Sequence, residues 1–477
     1  MAESKSAPDP NRPISRPTGT ADPGARSLSE RLAAGLSAIA EGDLSPKATL
    51  AVENEFIEVL GLMVAAGQSD YMAALFGSLD SSGPCTYPGY PSGLSPSGAA
   101  LAGGVGIQGV DFDDTLVGAP IRVAAMVFPA VLAAGERHGR SGREVFLGAA
   151  AGMEAICRIN RLAPGLIHSR GFHPVGVLGP FGSAAGVSRT LNLGPGAMAA
   201  AFGLAGSLSS GLLEYLAEGA WTKRLHPGLA ARSGLEAATL ASKGFVAPRF
   251  VFEGRHGLFH GFAGKDDPDP ELALAGLGQK WYLEDVAFKP YPCGTMIHPY
   301  IDCMKELAKT GLQAADIVSI VSDTGAGFVP RLWEPLEAKR KPGSPYAAKF
   351  SVPWCMAMSF FTGSAGLGDF SEASLADENI AALCQKISYR IDPNSQYPDN
   401  YEGHVLATLT DGRQIELRQP HLRGGAKEPL TRDEIIAKFY QNLDYGNFPA
   451  DRRERLLDFA LTLPQAKNLS GYAYFRA

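Results

Sequence analysis

Three short segments of the chain carry basic or titratable side chains in stiff settings that suit chemistry. The first is Gly171-Phe172-His173-Pro174, which runs directly into a glycine-rich helical stretch over 176–188. The proline restricts the backbone around the imidazole and holds it at a helix N-terminus. The second, Lys223-Arg224-Leu225-His226-Pro227-Gly228, gathers three basic or protonatable groups within four residues and reads as a segment just before a helix. The third is Phe288-Lys289-Pro290-Tyr291-Pro292-Cys293, followed by His298-Pro299, where two prolines stiffen the backbone after Lys289. Taken singly, each segment also fits a helix cap or a solvated corner. Three of them, each at the mouth of a helix, are expected to converge.

Removing a proton α to a carboxylate builds negative charge on oxygen. Lysine, arginine and histidine aimed at that oxygen stabilise it, each by roughly 3–4 kcal/mol if they act as oxyanion-hole donors do. A histidine near neutral pKa, or a lysine lowered by neighbouring cations, serves as the base. A second protonatable group then assists loss of hydroxide or returns the proton to carbon. Dehydration and epimerisation share this first half, and decarboxylation passes through a similar carbanion. No Cys/His spacing supports a metal site, so the expected chemistry is metal-free.

Two other motifs match short signatures. Gly104-Val-Gly106-Ile-Gln-Gly109 fits the dinucleotide fingerprint, but it follows an Ala-rich segment rather than a strand and lacks the βαβ rhythm. Asp111-Phe-Asp113-Asp114-Thr115-Leu116 fits the Asp-x-Asp-x-Thr phosphotransferase signature, with Mg²⁺ held by Asp111 and Asp113. That chemistry needs an apolar strand ending at the first aspartate and a doubly wound sheet around it, whereas the following 130 or so residues read as helices. The alternative is that Asp113 and Asp114 cap the next helix near its positive end.

The elements that must position these groups are mostly helical. At 477 residues the chain exceeds the size at which one core stops growing, so two domains are expected. Residues 1–26 are rich in Pro, Ser, Ala and Asp and read as a disordered extension. Residues 27–284, with 430–477, read as a helical domain, Ala-rich between Arg122 and Val246 and punctuated by capping boxes at Ser141-Gly-Arg-Glu144 and Thr431-Arg-Asp-Glu434. Residues 285–429 read as an inserted α+β lid. It contains a strand over Ile317–Ser322, helices at about Thr295–Lys309 and Ala347–Phe361, and alternation at Ile387, Tyr389 and Ile391. A hairpin turns at Asp411-Gly412. The fold class is mainly α, a large helical domain with a smaller α+β lid.

Net charge of −6 and a pI near 5.9 argue against a nucleic-acid partner, while a locally basic pocket still accommodates a small anion. Six scattered cysteines without a Cys-x-x-Cys pair suit a reducing cytoplasm. The N-terminus lacks the order of a secretory signal. Two charge-free stretches, Ser81–Val110 and Thr190–Leu213, are too rich in small residues and turn formers to read as membrane spans.

The segments VDFDDT (110–115), GFHPVGVLGPFGSAAGVSR (171–189), TKRLHPGLAARSGLEAATLASKGF (222–245) and KPYPCGTMIHP (289–299) together resemble the MmgE/PrpD family. That family includes 2-methylcitrate dehydratase, cis-aconitate decarboxylase and iminodisuccinate epimerase, and the resemblance runs from about Ser27 onward. It implies a helical domain with an α+β lid, a homodimer, and a cleft that works without metal or coenzyme. By position, Asp111 and Thr115 resemble the acidic motif lining that cleft, His173 the active-site histidine, and Lys223 and Lys289 the two cleft lysines. His226 and His298 match family positions too. The chain also departs from the pattern: Leu116 stands where many members have a histidine after the Asp-Asp-Thr triplet, and Arg122-Val123 where they have His-Pro. Gly294 stands where the decarboxylase branch has a histidine, and Pro353 or Trp354 near its tyrosine. With an imidazole exchanged for Arg122, the pocket loses a titratable group and gains a permanent cation. The resemblance therefore implies proton abstraction from a small di- or tricarboxylate other than cis-aconitate, in the manner of 2-methylcitrate dehydratase. The alternatives are epimerisation of an iminodisuccinate-like substrate, a ligand-binding member without catalysis, or the Mg²⁺-dependent phosphotransferase.

Overall fold

The computed structural model describes residues 25–119 and 121–476; residues 1–24 of the expected extension lie outside the described residues. The fold is mainly α, with the strands in two small sheets. The helices that build the site are α1 (Pro46–Ala66), α2 (Pro96–Gly109), α3 (Ala124–His138), α4 (Gly142–Asn160), α5 (Pro174–Thr190), α6 (Thr222–Ala241), α7 (His298–Lys309), α8 (Val352–Thr362) and α9 (Arg432–Tyr445). Both expected capping boxes form. The Ser141 N–H donates to Glu144 at 2.8 Å and the Thr431 N–H to Glu434 at 2.8 Å, satisfying donors that the first helical turn leaves free.

Buried apolar side chains fall into two clusters. One runs from Leu28 to Phe288 and is completed by Leu367 and by residues of α9 and the C-terminal helices up to Phe475. The other runs from Tyr291 to Leu409. The second packs against a four-stranded sheet of order β4-β3-β5-β6, with β3 (Ile317–Thr324), β4 (Ile387–Ile391), β5 (Gly403–Leu409) and β6 (Gln414–Gln419). β3 and β4 are parallel and the other pairs antiparallel. The expected hairpin joins β5 to β6, with Gly412 at φ +85° as its turn requires.

A two-stranded ribbon links the first core to the start of the second. β1 (Thr115–Leu116) pairs antiparallel with β2 (Val286–Ala287), Thr115 opposite Ala287. This register carries the chain beyond β2 past the residues that precede β1, which brings Lys289 against Asp111.

Several sequence expectations change. The Gly104–Gly109 motif lies inside α2, so it is no phosphate-binding turn. Its glycines serve packing: a Cβ on Gly104 would lie 2.7 Å from backbone atoms of Gly228 in α6. The aspartates that follow stand at the C-terminal, negative end of α2, the opposite polarity from a nucleotide site. Asp111 does not end an apolar strand, and no doubly wound sheet surrounds it among the described residues, which removes the context a phosphotransferase needs. Lys223–His226 do not precede a helix but form the opening turns of α6. Cations are disfavoured there by the helix dipole; tertiary partners override it, because Lys223 pairs with Asp111 and Arg224 donates to the Gly109 carbonyl at 2.9 Å. The helix expected over 347–361 is broken: a short helix ends at Ala348, and Ser351 then caps α8, whose first turn contains Pro353. Proline has no N–H to donate to the preceding turn of a continuous helix there, and the break turns Lys349 toward α2.

Replacing Gly104 with Val must separate α2 from α6, since the obstructing atoms are backbone and cannot rotate away. The expected cost is about 2–3 kcal/mol, read from urea unfolding; wild-type stability would contradict this packing.

Candidate active site

Asp111 lies just past the C-terminus of α2 in the left-handed region, φ +60°, a conformation that aspartate tolerates better than most residues. The turn points its carboxylate back into the interface, where it is almost fully buried. One oxygen receives Lys223 Nζ at 2.8 Å and the other Lys289 Nζ at 3.1 Å. Lys289 also donates to the Asp111 carbonyl at 2.9 Å and to the Cys293 carbonyl at 3.2 Å. Arg122 approaches the same carboxylate at 3.7 Å, stands 3.6 Å from Asp113 through Nε, and donates from Nη1 to the Thr115 hydroxyl at 2.6 Å. Burial alone would raise the Asp111 pKa, but Lys223, Lys289 and Arg122 outweigh it and hold the carboxyl well below the usual carboxylate range. For Lys289 the balance goes the other way: burial, then Arg122, lowers its affinity for a proton despite Asp111.

The imidazoles form a second group. His173 is the N-cap of α5, anchored by its N–H to the Gly211 carbonyl at 2.9 Å. Its Nδ1 lies 2.9 Å from Nδ1 of His226, which projects from α6 one turn after Lys223. One of these nitrogens donates and the other accepts, so the contact requires at least one neutral ring. Burial pushes His226 down to about 4. Burial, then His226, Lys223 and Arg122, push His173 well below its ordinary value. Gly211 sits at φ +118°, and a Cβ there would come within 3.3 Å of the His226 ring, so glycine is needed on both counts. The Tyr215 ring packs edge-on against both imidazoles, at 5.5 and 5.8 Å.

The structure thus brings together Asp111, Thr115, Arg122, Lys223 and Lys289 in direct contact, with His173 and His226 paired beside them. His298 stands apart. It is fully buried, with Nε2 3.4 Å from the Cys293 carbonyl that Lys289 also uses, and its ring lies against Tyr291. Of the two aspartates expected to cap the next helix, Asp114 does so, accepting from the Val123 and Ala124 N–H groups at 2.8 and 3.0 Å. Asp113 does not, and neither of its oxygens has a hydrogen-bond donor.

Lys349 was missed. Its ammonium reaches from the break before α8 to the Val110 carbonyl at 2.6 Å, and burial lowers its pKa to about 8. The signal is a lone charge in the run Ala347–Trp354, inside the helix expected over Ala347–Phe361. Tyr346 and Phe350, from the same segment, cover Lys223 at 5.8 and 5.2 Å from their ring centres. A cavity of about 700 Å³ is lined by Leu116–Ala119, Arg161, Tyr401 and His421, and none of the clustered side chains lines it. The loop that walls it begins after Thr115 and leads to Arg122, both members of the cluster. Among the described residues no group of His, Cys, Asp and Glu side chains is arranged to hold a metal ion, and no helix is long and apolar enough to cross a membrane.

The sequence matches a known family over most of the chain. Residues 30–271 match the MmgE/PrpD N-terminal domain and residues 291–464 the MmgE/PrpD C-terminal domain. The chain belongs to the MmgE/PrpD family. Relatives within it include a cis-aconitate decarboxylase of Aspergillus terreus, 27% identical over 82% of this chain and 84% of the relative. The human cis-aconitate decarboxylase is 26% identical over 87% of this chain and 88% of its own length. Between the two family matches lie residues 272–290, which hold β2 and Lys289.

Asp111→Asn should leave Lys289 buried without its counter-charge, at a cost of about 3–5 kcal/mol in denaturant unfolding. A carboxyl whose pKa is depressed on folding stabilises the protein above its unfolded value and ceases to do so only as pH falls through the folded value. The gap between wild type and variant should therefore hold at neutral pH and close only below about pH 4; a gap that closes near neutrality would show that Asp111 is not the anion of this cluster.

Proposed function

We propose that this MmgE/PrpD protein is a lyase or isomerase that works without metal or coenzyme, removing a proton α to a carboxylate of a small di- or tricarboxylate. The dehydratase reaction is the principal reading. One observation carries it: four cations gather at the buried Asp111 corner beside a pair of imidazoles that burial holds neutral. Lys223, Lys289, Arg122 and Lys349 surround Asp111, so the corner attracts a carboxylate rather than repelling it.

In this reading His173 is the acid–base group. With Nδ1–H donated to His226, its Nε2 is left free to take the proton from carbon. Charge then develops on a carboxylate oxygen and is stabilised by Lys223 and Lys289, which Asp111 aims and keeps close together. Arg122, held by Thr115, binds a further carboxylate as a fixed cation, and His226 completes the binding surface, while His298 supports the Cys293 carbonyl that Lys289 also uses. Loss of a β-hydroxyl gives dehydration, and return of the proton on the opposite face gives epimerisation of an iminodisuccinate-like substrate. The named activity of the relatives favours decarboxylation as a second reading, against which stands Gly294 at the decarboxylase histidine position. The two separate apolar cores support domains at 27–284 with 430–477, and at 285–429. Exposed Leu212, Leu216 and Trp221 support a homodimer that buries them.

A panel of di- and tricarboxylates followed by NMR in D₂O tests the reading. Loss of water identifies a dehydratase, release of CO₂ a decarboxylase, and exchange at an α-carbon without net conversion an epimerase. His173→Ala and Lys223→Ala should each lower turnover by about 10²–10⁴-fold; unchanged turnover in both refutes the site. Full loss of activity with EDTA would overturn the metal-free chemistry.

A further inference from the structure

Behind the cluster lies a set of buried charges that the proposed reaction does not use. Glu55 of α1 is fully buried, and neither of its carboxyl oxygens has a hydrogen-bond donor. Its charged neighbours are Asp114, Glu58, Lys438 and Asp113. None of the donors around it reaches it. Lys438 of α9 pairs with Glu58 and donates to the carbonyls of Phe112 and Lys289, both at 2.8 Å. The N–H groups at the start of α3 serve Asp114. Lys289 serves Asp111 and Cys293, and Arg122 serves Thr115 and the Asp111–Asp113 side. The buried amides Asn54, Gln108 and Asn442 add polarity but no charge.

An ionised Glu55 would therefore be a desolvated anion without a donor among other carboxylates, a state far costlier than neutralisation. A carboxylic acid differs in kind, because it carries a donor of its own. Asp113 also has two oxygens without donors, and Arg122 Nε, 3.6 Å from it, has no hydrogen-bond partner. One proton placed among these carboxyls satisfies acceptors that otherwise have nothing to accept.

We propose that Glu55 is a positioning residue: a buried carboxylic acid, kept neutral, whose O–H is given to the Asp113–Asp114 carboxylates and so fixes the charge and aim of Arg122. Keeping it neutral preserves the positive excess of the cluster. Its link to substrate rests on the carboxylate reading above, while its protonation state does not.

Infrared spectroscopy and thermal melting of wild type and Glu55→Gln, which keeps a neutral donor, test the assignment. Wild type at about pH 7.5 should show the carbonyl band of a protonated carboxylic acid that Glu55→Gln lacks. A group whose folded pKa is raised loses its stabilising contribution as pH rises, so Glu55→Gln should melt no lower than wild type, by a margin that widens from about pH 6 to about pH 9. An identical band in both proteins, or a variant that melts lower at alkaline pH, overturns the proposal. If Glu55→Gln does not fold, Glu55→Met supplies a neutral side chain of similar length, and failure of both also overturns it. KM for the carboxylate substrate should rise with pH more steeply in wild type than in Glu55→Gln, and parallel profiles would refute the link to Arg122. The infrared and melting measurements need no substrate, so they stand even if the proposed reaction fails.

Discussion

The contact between Asp111 and its three cations is the constraint on which the rest of this structure depends. The carboxylate and the ammonium of Lys289 are both almost wholly removed from water, and desolvation of each alone would be prohibitive. They are tolerated because the partners converge from separate elements. Lys223 comes from α6, Arg122 from the loop before α3, and Lys289 from the segment beyond β2. The helix end contributes as well: Arg224, Lys349 and Lys289 donate to the carbonyls of Gly109, Val110 and Asp111, where the backbone of α2 is left with unsatisfied acceptors. Two of these donors belong to the part of the chain after residue 288. The contact that gathers the site therefore also holds the second core against the first.

Around that fixed point the titratable groups are driven apart. Asp111 is held ionised by neighbouring cations, while burial holds His226 neutral and burial with His226, Lys223 and Arg122 holds His173 neutral. Lys349, with no carboxylate in contact, falls to about 8. Such divergence separates an anion, cations and a neutral imidazole pair within one small volume, a pattern that marks functional sites. The small residues of α2 and α6 make the volume small. Gly104 and Gly228 let the helices touch backbone to backbone, which sets the distance between Asp111 at the end of one and Lys223 at the start of the other.

Membership of the MmgE/PrpD family explains why so much of the site appears in one order along the chain. Arg122 takes the place of an expected histidine, and its guanidinium is already engaged by Asp111, Asp113 and Thr115. A charge fixed in this way changes the balance of the pocket without changing the fold, because α3 still starts on Asp114 through its backbone.

By itself the sequence determined the mainly α fold, the capping boxes at Ser141 and Thr431, the hairpin at Gly412, and the three basic segments. These are local properties: a capping serine, a turn glycine or a proline after lysine restricts backbone geometry wherever the chain goes. Tertiary structure decided the rest. It started α6 at Thr222 rather than after His226, because Asp111 and the Gly109 carbonyl neutralise cations that a free helix end would reject. It broke the helix at Lys349, paired His173 with His226 across 53 residues, and left His298 outside the cluster. It also buried Glu55, a residue with no sequence signal, because burial and donor supply depend on partners hundreds of positions away. Residue types gave the chemistry its vocabulary, and only the packing of α2, α6 and the β1–β2 ribbon fixed which charges meet.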